Sequence, residues 1–401
     1  MTIPHSPFPI PHSRVSRAVT IGGFGHVKAV NVGGGSPVVV QTMWKDRLDF
    51  SDLEGKAASA LVARIEALGK MGCGLLRFAV PDINAAEVLG NLASMVSMPL
   101  VADIHFDYKI ALRCLDFPIA KIRINPGNIG ARNKVEAVLS KAAALSRPMR
   151  IGVNAGSLSA DQRKEVDSGR MEAAEAMVRD AERELAIFRE FDFKDVLVSM
   201  KASEIADTIK ANRLLTERTD VPLHVGVTEA GPLIPGVVRN TAALLALLGD
   251  GIGDTIRVSL SDSPEKEVIA GREILRAAYD LRTANLLNAD MRNAGSQIAE
   301  RPTVFPVSRG VRIVSCPRCA RNSFDSIAFT EAWQDRLYAL DKDITVAIMG
   351  CAVNGPGEAR HADLGITGAG NKVLIFRKGE LLRTINAVEA DAAFEEELNR
   401  F

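Results

Sequence analysis

A repeated alternation of short β-rich runs with helix-like stretches constrains the fold of this chain more than any other feature. The runs occupy residues 38–43, 75–80, 99–105, 121–127, 150–156, 196–203, 222–229 and 255–261. Eight strands that alternate with helices over about 250 residues are typical of a (β/α)8 barrel. An open doubly wound sheet is the alternative, but no G-x-G-x-x-G motif follows the first run, which disfavours its dinucleotide-binding form. We therefore predict an α/β fold that begins with a TIM-type barrel.

The texture of the sequence changes over residues 286–310, where the periodicity is lost and prolines appear. We place a domain boundary there. This gives a flexible tail over residues 1–20, the barrel over 21–290 and a small α+β domain over 300–401, which contains one final strand-like stretch, "NKVLIFRKGELL". The segment "AVTIGGFGHVKAVNVGGGS" before the first barrel strand alternates and turns at glycines. We expect it to form a hairpin that closes the bottom of the barrel.

Charge and cysteine content argue against several classes of function. The chain has 49 basic residues (lysine and arginine) and 49 acidic residues (aspartate and glutamate), whereas a general nucleic-acid binder is normally basic. No apolar run approaches the roughly 18–20 residues of a membrane span, and the proline-rich N-terminus lacks the apolar segment of a secretory signal. The five cysteines fit a reducing compartment and metal binding better than disulfides. We expect a cytoplasmic protein without nucleic-acid or membrane partners, in which Cys73 and Cys114 are core thiols.

Polar side chains recur in one phase along the barrel strands. In a barrel the apolar face of each strand packs under the helices, so the polar face points into the lumen near its C-terminal mouth. The cations in this phase are Arg77, Arg123, Arg150, Lys201 and Arg257, and the anion is Asp103. A single strand arginine is often a surface residue, but five cations against one anion in one mouth require a negatively charged ligand. Because arginine forks match phosphate oxygens, we predict a pocket for a multiply charged anion, most simply a diphosphate.

Three cysteines in the C-terminal quarter form a candidate metal site. Cys316 and Cys319 lie in "SCPRCAR", and Cys351 opens "CAVNGPGEARHADLG". Thiolate sites usually have four ligands, and two residues are candidates for the fourth. His361 would complete a structural zinc site. Glu358 would place a hard carboxylate on an iron–sulfur cluster, where it could exchange and expose one iron to substrate. The tight "NGPGE" loop favours the glutamate.

The sequence resembles the 4-hydroxy-3-methylbut-2-enyl diphosphate synthases, an iron–sulfur family of the methylerythritol phosphate route to isoprenoids. The shared motifs run nearly end to end, and include "GGGSPVVVQTM", "ADIHFDYKIAL", "KIRINPGNIG", "PLHVGVTEAG", "SCPRCAR" and "MGCAVNGPGEARHADLGI". The resemblance implies that Cys316, Cys319, Cys351 and Glu358 hold a 4Fe–4S cluster. The loop "TMWKDRLDF" departs from the threonine- and asparagine-rich turn that is usual in the family, so we predict no substrate contact there.

The resemblance also implies an activity. It is the reductive ring opening and dehydroxylation of 2-C-methyl-D-erythritol 2,4-cyclodiphosphate to 4-hydroxy-3-methylbut-2-enyl diphosphate, with two electrons consumed. Flavodoxin or ferredoxin would supply the electrons. The implied assembly is a homodimer in which the C-terminal domain of one subunit caps the barrel of the other, although the sequence itself does not distinguish this from capping within a chain.

These expectations assign a role to each candidate residue. Glu358 is the exchangeable ligand and a candidate proton donor, and Asn354 is a candidate for orienting the substrate or this carboxylate. Glu229, at the end of the seventh strand, has either an acid–base role or a helix-capping or ion-pairing one. The predicted substrate-binding residues are Arg77, Asp103, Arg123, Arg150, Asn154, Lys201, Arg257 and Ser259.

Two other functions are compatible with parts of the sequence. A non-redox iron–sulfur hydro-lyase acting on a phosphorylated substrate would use the open iron as a Lewis acid and turn over without a reductant. A non-catalytic barrel with a structural zinc module would use His361.

Overall fold

The structure is a computed structural model and describes residues 15–105, 107–124, 132–158, 160–292, 310–316, 323–351 and 362–401. The chain divides into two compact units, Met1–Ser308 and Arg309–Phe401. Each unit has its own sheet and its own apolar core.

The first unit is built around a parallel sheet that closes into a barrel. Its strands are β3 (Val39–Met43), β4 (Cys73–Ala79), β5 (Leu100–Asp103), β6 (Lys121–Ile124), β7 (Met149–Asn154), β8 (Val196–Lys201), β9 (His224–Val225) and β10 (Thr255–Ile256). They pair in the order β8-β7-β6-β5-β4-β3-β10-β9. A parallel bridge between Val198 and Leu223 joins the two ends of this order. The predicted eight-stranded α/β barrel is therefore confirmed.

The last two barrel strands are shorter than the sequence predicts. β9 and β10 each contain two residues, whereas the sequence runs cover 222–229 and 255–261. The chain leaves regular pairing at Gly226, whose φ is +154°. A Cβ atom there would lie 2.2 Å from the carbonyl oxygen of Arg257, so only glycine permits this approach between the two strands.

Helices surround the barrel strands. They are α1 (Gly55–Lys70), α2 (Ile83–Met95), α3 (Tyr108–Cys114), α4 (Arg132–Ala144), α5 (Ala160–Asp167), α6 (Ala173–Glu190), α7 (Ile205–Thr216), α8 (Leu233–Gly249) and α9 (Pro264–Arg292). Asp82 caps α2 by accepting a hydrogen bond from the amide of Ala85 at 2.7 Å, as expected for an N-cap aspartate. α9 continues beyond residue 286, where the sequence periodicity fades. In the described part of the chain, no helix is both long enough and apolar enough to cross a bilayer.

A hairpin packs against the N-terminal ends of the barrel strands, as predicted. Strands β1 (Val19–Ile21) and β2 (Val30–Val32) pair antiparallel and form one apolar cluster with Leu75, Val101 and Leu197. The chain is tied down before this hairpin, because the amide of Arg17 donates to the carbonyl of Asp220 at 2.9 Å. Residues 16–20 therefore do not belong to a flexible tail, contrary to the prediction for residues 1–20, and residues 1–14 lie outside the described residues.

The second unit is a small α+β fold, as predicted. Its elements are β11 (Arg312–Ser315), α10 (Ser326–Tyr338), β12 (Thr345–Met349), β13 (Leu364–Ala369), β14 (Lys372–Arg377), β15 (Glu380–Asn386) and α11 (Ala390–Leu398). The five strands form one sheet in chain order. β11, β12 and β13 pair in parallel, and β13, β14 and β15 pair antiparallel. Aromatic side chains fill its core, where Phe329, Trp333 and Phe394 are in mutual contact.

The stretch "NKVLIFRKGELL" is not one strand but a hairpin. β14 and β15 meet at Lys378 and Gly379, whose φ values are 48° and 86°. Two consecutive residues with positive φ are typical of the tight two-residue turn that fits the twist of a hairpin. Because the first turn position holds a lysine, the sequence shows Lys-Gly at this turn in place of the usual Asn-Gly or Asp-Gly signal.

Candidate functional site

Toward its C-terminal mouth the lumen of the barrel is lined with polar side chains, in contrast to the apolar layers that usually fill such a lumen, whereas Leu75, Val101 and Leu197 form an apolar layer at its N-terminal end. The register pairs Asp103 with Arg123 and Arg123 with Arg150, so these side chains lie on neighbouring strands. Because alternate strands of a tilted barrel share a layer, Arg77, Arg123 and Arg257 belong to one level. Arg150 belongs to the level beneath it. The predicted cations therefore converge in one place.

Asp103 is the anion that joins two of these arginines. Nη1 of Arg123 donates to its Oδ1 at 3.0 Å, and Nε of Arg77 lies 3.6 Å from its Oδ2. His105 lies 3.6 Å from Oδ1. Burial by itself raises the pKa of Asp103, but the His105 hydrogen bond and the charges of Arg77 and Arg123 hold that pKa well below its ordinary value. Asp103 is therefore ionised at neutral pH.

Arg150 is the most deeply buried of the predicted cations, with 1% of its surface exposed. Among the described residues, its Nε and Nη1 atoms have no hydrogen-bond partner. Burial lowers its pKa well below the ordinary value, and the neighbouring charges of Arg77 and Arg123 lower it further. Buried N–H groups are normally bonded, so this arginine is suited to an anionic ligand that supplies acceptors.

Gly152 makes room for the guanidinium of Arg123. A Cβ atom at Gly152 would lie 2.3 Å from Nε and Nη2 of Arg123, which is far closer than real contacts allow. Gly152 lies on β7, next to the strand that carries Arg123. The position therefore requires glycine if the arginine is to cross the lumen in this conformation.

Lys201 and His224 form a second buried pair. Nζ of Lys201 lies 3.2 Å from Nε2 of His224, and Nδ1 of His224 lies 2.7 Å from Oγ1 of Thr255. Burial lowers the pKa of His224 well below its ordinary value, and the charge of Lys201 lowers it further. The histidine is thus neutral. Its two ring nitrogens bond Lys201 and Thr255, one on each side of the imidazole.

Three further residues take part in this charged cluster and were not predicted from the sequence. Lys121 is fully buried, and its Nζ donates to Gln41 at 3.3 Å. Lys121 is in phase with Arg123 on its own strand, and this was the available signal. The third is Glu267, a buried carboxylate that accepts two hydrogen bonds from Arg257, at 2.9 and 3.2 Å. The predicted balance of five cations to one anion is therefore wrong, because Lys121 adds a cation and Glu267 adds a second anion.

The remaining predicted residues of the barrel lie around this cluster. Asn154, at the end of β7, and Ser259, after β10, are both half-buried. Glu229 is exposed and has a φ of 51°. A cavity of about 230 Å³ next to the cluster is lined in part by Asp103 and His105. The structure thus brings the charged candidates together and leaves Glu229 exposed to solvent.

In the second unit, two of the predicted metal ligands lie at the same edge of the sheet. Cys316 follows β11 and Cys351 follows the neighbouring parallel strand β12. The amide of Cys316 donates to the carbonyl of Ile348 at 3.0 Å. Thr367 donates to the carbonyl of Cys351 at 3.0 Å. Because parallel strands end at one edge, both cysteines lie at that edge of the sheet, a position that suits a metal held by thiolates.

The other predicted ligands lie outside the described residues, and these are Cys319, Asn354, Glu358 and the alternative ligand His361. Within the described ranges, no three His, Cys, Asp or Glu side chains are grouped as a metal site. Cys73 and Cys114 are buried, and burial raises the pKa of each thiol to about 12. They are core thiols, as predicted.

Comparison with known proteins gives matches over both units. The model of the GcpE TIM-barrel domain matches residues 24–272, and that of the GcpE protein C-terminal domain matches residues 312–400. Proteins of Treponema pallidum and Treponema denticola, both named 4-hydroxy-3-methylbut-2-en-1-yl diphosphate synthase (flavodoxin), are 46% and 45% identical to the chain. Each alignment covers 96% of this chain, and it covers 91% and 98% of the two relatives, respectively. A dihydropteroate synthase structure from Yersinia pestis aligns with 66% of this chain and 98% of that one, at 15% identity and a TM-score of 0.42, a likeness too weak for any argument.

Proposed function

The chain belongs to the GcpE family, and from this membership we propose how its two units share the family's reaction. The activity is that of an oxidoreductase that forms 4-hydroxy-3-methylbut-2-en-1-yl diphosphate, in the biosynthesis of isoprenoid precursors. The substrate is 2-C-methyl-D-erythritol 2,4-cyclodiphosphate, whose ring is opened and which loses a hydroxyl group as two electrons are consumed.

The barrel, proposed to span residues 21–290, binds the diphosphate. The observation that carries this assignment is the buried guanidinium of Arg150, whose Nε and Nη1 atoms lack partners among the described residues. Its nearest charged neighbours include two further arginines, Arg77 and Arg123. Diphosphate oxygens provide both the negative charge and the acceptors that this cluster lacks. The proposed substrate-binding residues are Arg77, Asp103, Arg123, Arg150, Asn154, Lys201, Arg257 and Ser259.

The second unit, proposed to span residues 300–401 as a domain, holds a 4Fe–4S cluster. The thiols of Cys316 and Cys351, which leave the sheet at one edge, suit such a group. We assign Cys319 and Glu358 as the other two ligands. When bound, the cluster supplies electrons one at a time for the reduction of the substrate. Glu358 provides a proton to the oxygen that leaves, and Asn354 orients the substrate or this carboxylate. Glu229, which is exposed to solvent, is an acid–base candidate.

The partners follow from the same proposal. Reduction in single-electron steps requires a one-electron carrier, and the relatives are named for flavodoxin, so flavodoxin is the proposed donor and ferredoxin the alternative. We propose a homodimer as the active assembly and the cytoplasm as its location, since reducing conditions keep the cysteine thiolates available.

The test is anaerobic purification followed by iron and sulfide quantitation. The cyclodiphosphate is then added with and without a strong reductant. Iron and sulfide in the protein, with product formed only in the presence of the reductant, support the proposal. Turnover without a reductant indicates a hydro-lyase instead. A colourless protein that carries zinc and no sulfide refutes the cluster and with it the proposed reaction.

A further inference from the structure

The carboxylate of Glu267 is the centre of a hydrogen-bond network at one side of the barrel mouth. Glu267 lies in the first turn of α9, and its side chain is fully buried. Its Oε1 accepts from Nη2 of Arg257 at 2.9 Å, from Nζ of Lys45 at 2.5 Å and from the amide of Leu260 at 3.0 Å. Its Oε2 accepts from Nε of Arg257 at 3.2 Å and from Oγ1 of Thr42 at 2.7 Å. One carboxylate therefore connects β3, the loop after β3 and the segment after β10.

Glu267 also allows two cations to lie side by side. Burial raises its pKa, but the charges and hydrogen bonds of Arg257 and Lys45 bring that pKa below the ordinary value, so the carboxylate is ionised at neutral pH. Both cations bond to the same oxygen. Without the negative charge between them, the guanidinium and the ammonium would repel each other in a poorly solvated place.

Each of these cations retains donors for a ligand. Glu267 occupies Nε and Nη2 of Arg257, and no hydrogen bond from the described residues involves Nη1. The side chain of Lys45 is 28% exposed, and Lys45 lines a cavity of about 240 Å³ beside the C-terminal end of β4. Nζ of Lys45 also donates to the carbonyl of Leu260 at 3.0 Å, so Glu267 and this carbonyl together fix its direction and leave one of its three N–H groups for a ligand.

We propose that Glu267 is a positioning residue for the diphosphate site, an inference that rests on the proposed function. It holds Arg257 and Lys45 as a pre-oriented pair, so less conformational entropy is lost when the diphosphate binds. Through Lys45, the loop after β3 contributes a cation to diphosphate binding. The sequence of this loop departs from the family pattern, and for that reason we predicted no substrate contact there.

The test begins with Glu267→Gln, which preserves the shape of the side chain. An amide has one acceptor oxygen, so at least one bond from Arg257 is lost. The matched control is Glu265→Gln, the same change two residues earlier on α9, where the carboxylate pairs with Arg64. Titration calorimetry with the cyclodiphosphate and with inorganic diphosphate measures Kd without requiring turnover. We expect Kd and KM to rise about tenfold in Glu267→Gln, with kcat changed less than about twofold and the control unchanged.

Adding Glu267→Gln to a variant that already carries Arg257→Met and Lys45→Met separates positioning from a general structural role. If Glu267 acts through these two cations, the added change weakens binding by no more than about twofold. Losses that simply multiply, or an unchanged Kd in a folded Glu267→Gln protein, overturn the inference. If Glu267→Gln does not fold, Lys45→Met decides the question, because unchanged affinity in that variant refutes the contribution of the loop. Failure of the wild-type protein to bind the cyclodiphosphate counts against the proposed function itself.

Discussion

Replacement of Arg150 by methionine should change binding and stability in opposite directions. Arg150 is 1% exposed, and its Nε and Nη1 atoms lack partners among the described residues. A buried charge with incomplete pairing destabilises the ligand-free protein, and replacing buried charges by apolar side chains of similar volume stabilises proteins by about 1–4 kcal/mol. The unbranched methionine fills the same path through the lumen without a charge.

The expected changes in Tm and in cyclodiphosphate affinity follow from the burial of Arg150 and from its unbonded N–H groups. For a protein of this size, each kcal/mol shifts Tm by about 2–4 °C, so we expect Arg150→Met to raise the Tm of the ligand-free protein by a few degrees. Two charge-assisted hydrogen bonds to a diphosphate contribute about 1.5–3 kcal/mol each. Their loss should weaken binding of the cyclodiphosphate about a hundredfold or more, because each 1.4 kcal/mol is a factor of ten.

Thermal unfolding without ligand and titration calorimetry with the cyclodiphosphate measure the two quantities on the same preparation. Arg113→Met is the control, because Arg113 is a surface arginine paired with Glu87 and Asp116 and should leave the affinity unchanged. A folded Arg150→Met protein with unchanged affinity would refute the anion pocket. A lower Tm in that variant would show that Arg150 is already well paired in the ligand-free state.

Three further predictions concern the second unit and the pH dependence. Glu358→Ala should retain most of the iron and sulfide but lose reductive turnover; wild-type rates in that variant exclude a catalytic role for Glu358. His361→Ala should leave the iron content intact, and loss of iron on metal analysis would restore histidine as the fourth ligand. Because the pKa of His224 is lowered in the folded protein, the unfolded chain binds a proton below about pH 6.5 while the folded one does not. Stability should therefore fall as the pH decreases from 6.5 to 5, and urea titrations of His224→Gln should show a smaller slope over this range.

The barrel cations were predictable because strand alternation is a local property. Arg123 and Arg150 could be assigned to the lumen from their immediate neighbours, since apolar residues on either side must face the helices. Lys121 is in the same phase as Arg123 and is buried in the lumen. Strand alternation therefore predicts which face of the sheet a residue occupies. This prediction requires no knowledge of the contacts that the residue makes with distant parts of the sequence.

Glu267 could not be found in this way. Its partners Lys45 and Thr42 are more than two hundred positions away in sequence and become neighbours only when the barrel closes through the pairing of β10 with β3. At the start of a helix, a glutamate also has a sufficient local explanation in the helix dipole. The hairpin of β14 and β15 was missed for a related reason, because a lysine with positive φ at Lys378 gives no compositional signal of a turn.

The two anions of the mouth show why the lumen keeps an excess of positive charge. Asp103 and Glu267 engage both of their carboxylate oxygens with arginine or lysine, and Nε and Nη1 of Arg150 have no hydrogen-bond partner among the described residues. A third carboxylate placed there would neutralise Arg150 and would also compete directly with a diphosphate for it. The apolar contacts that stabilise the barrel lie elsewhere, in the cluster of the β1–β2 hairpin with Leu75, Val101 and Leu197 and in the outward faces of the strands. The ligand-free barrel can therefore retain an Arg150 whose Nε and Nη1 atoms are unbonded among the described residues, and a diphosphate that binds there should raise the Tm of the folded protein.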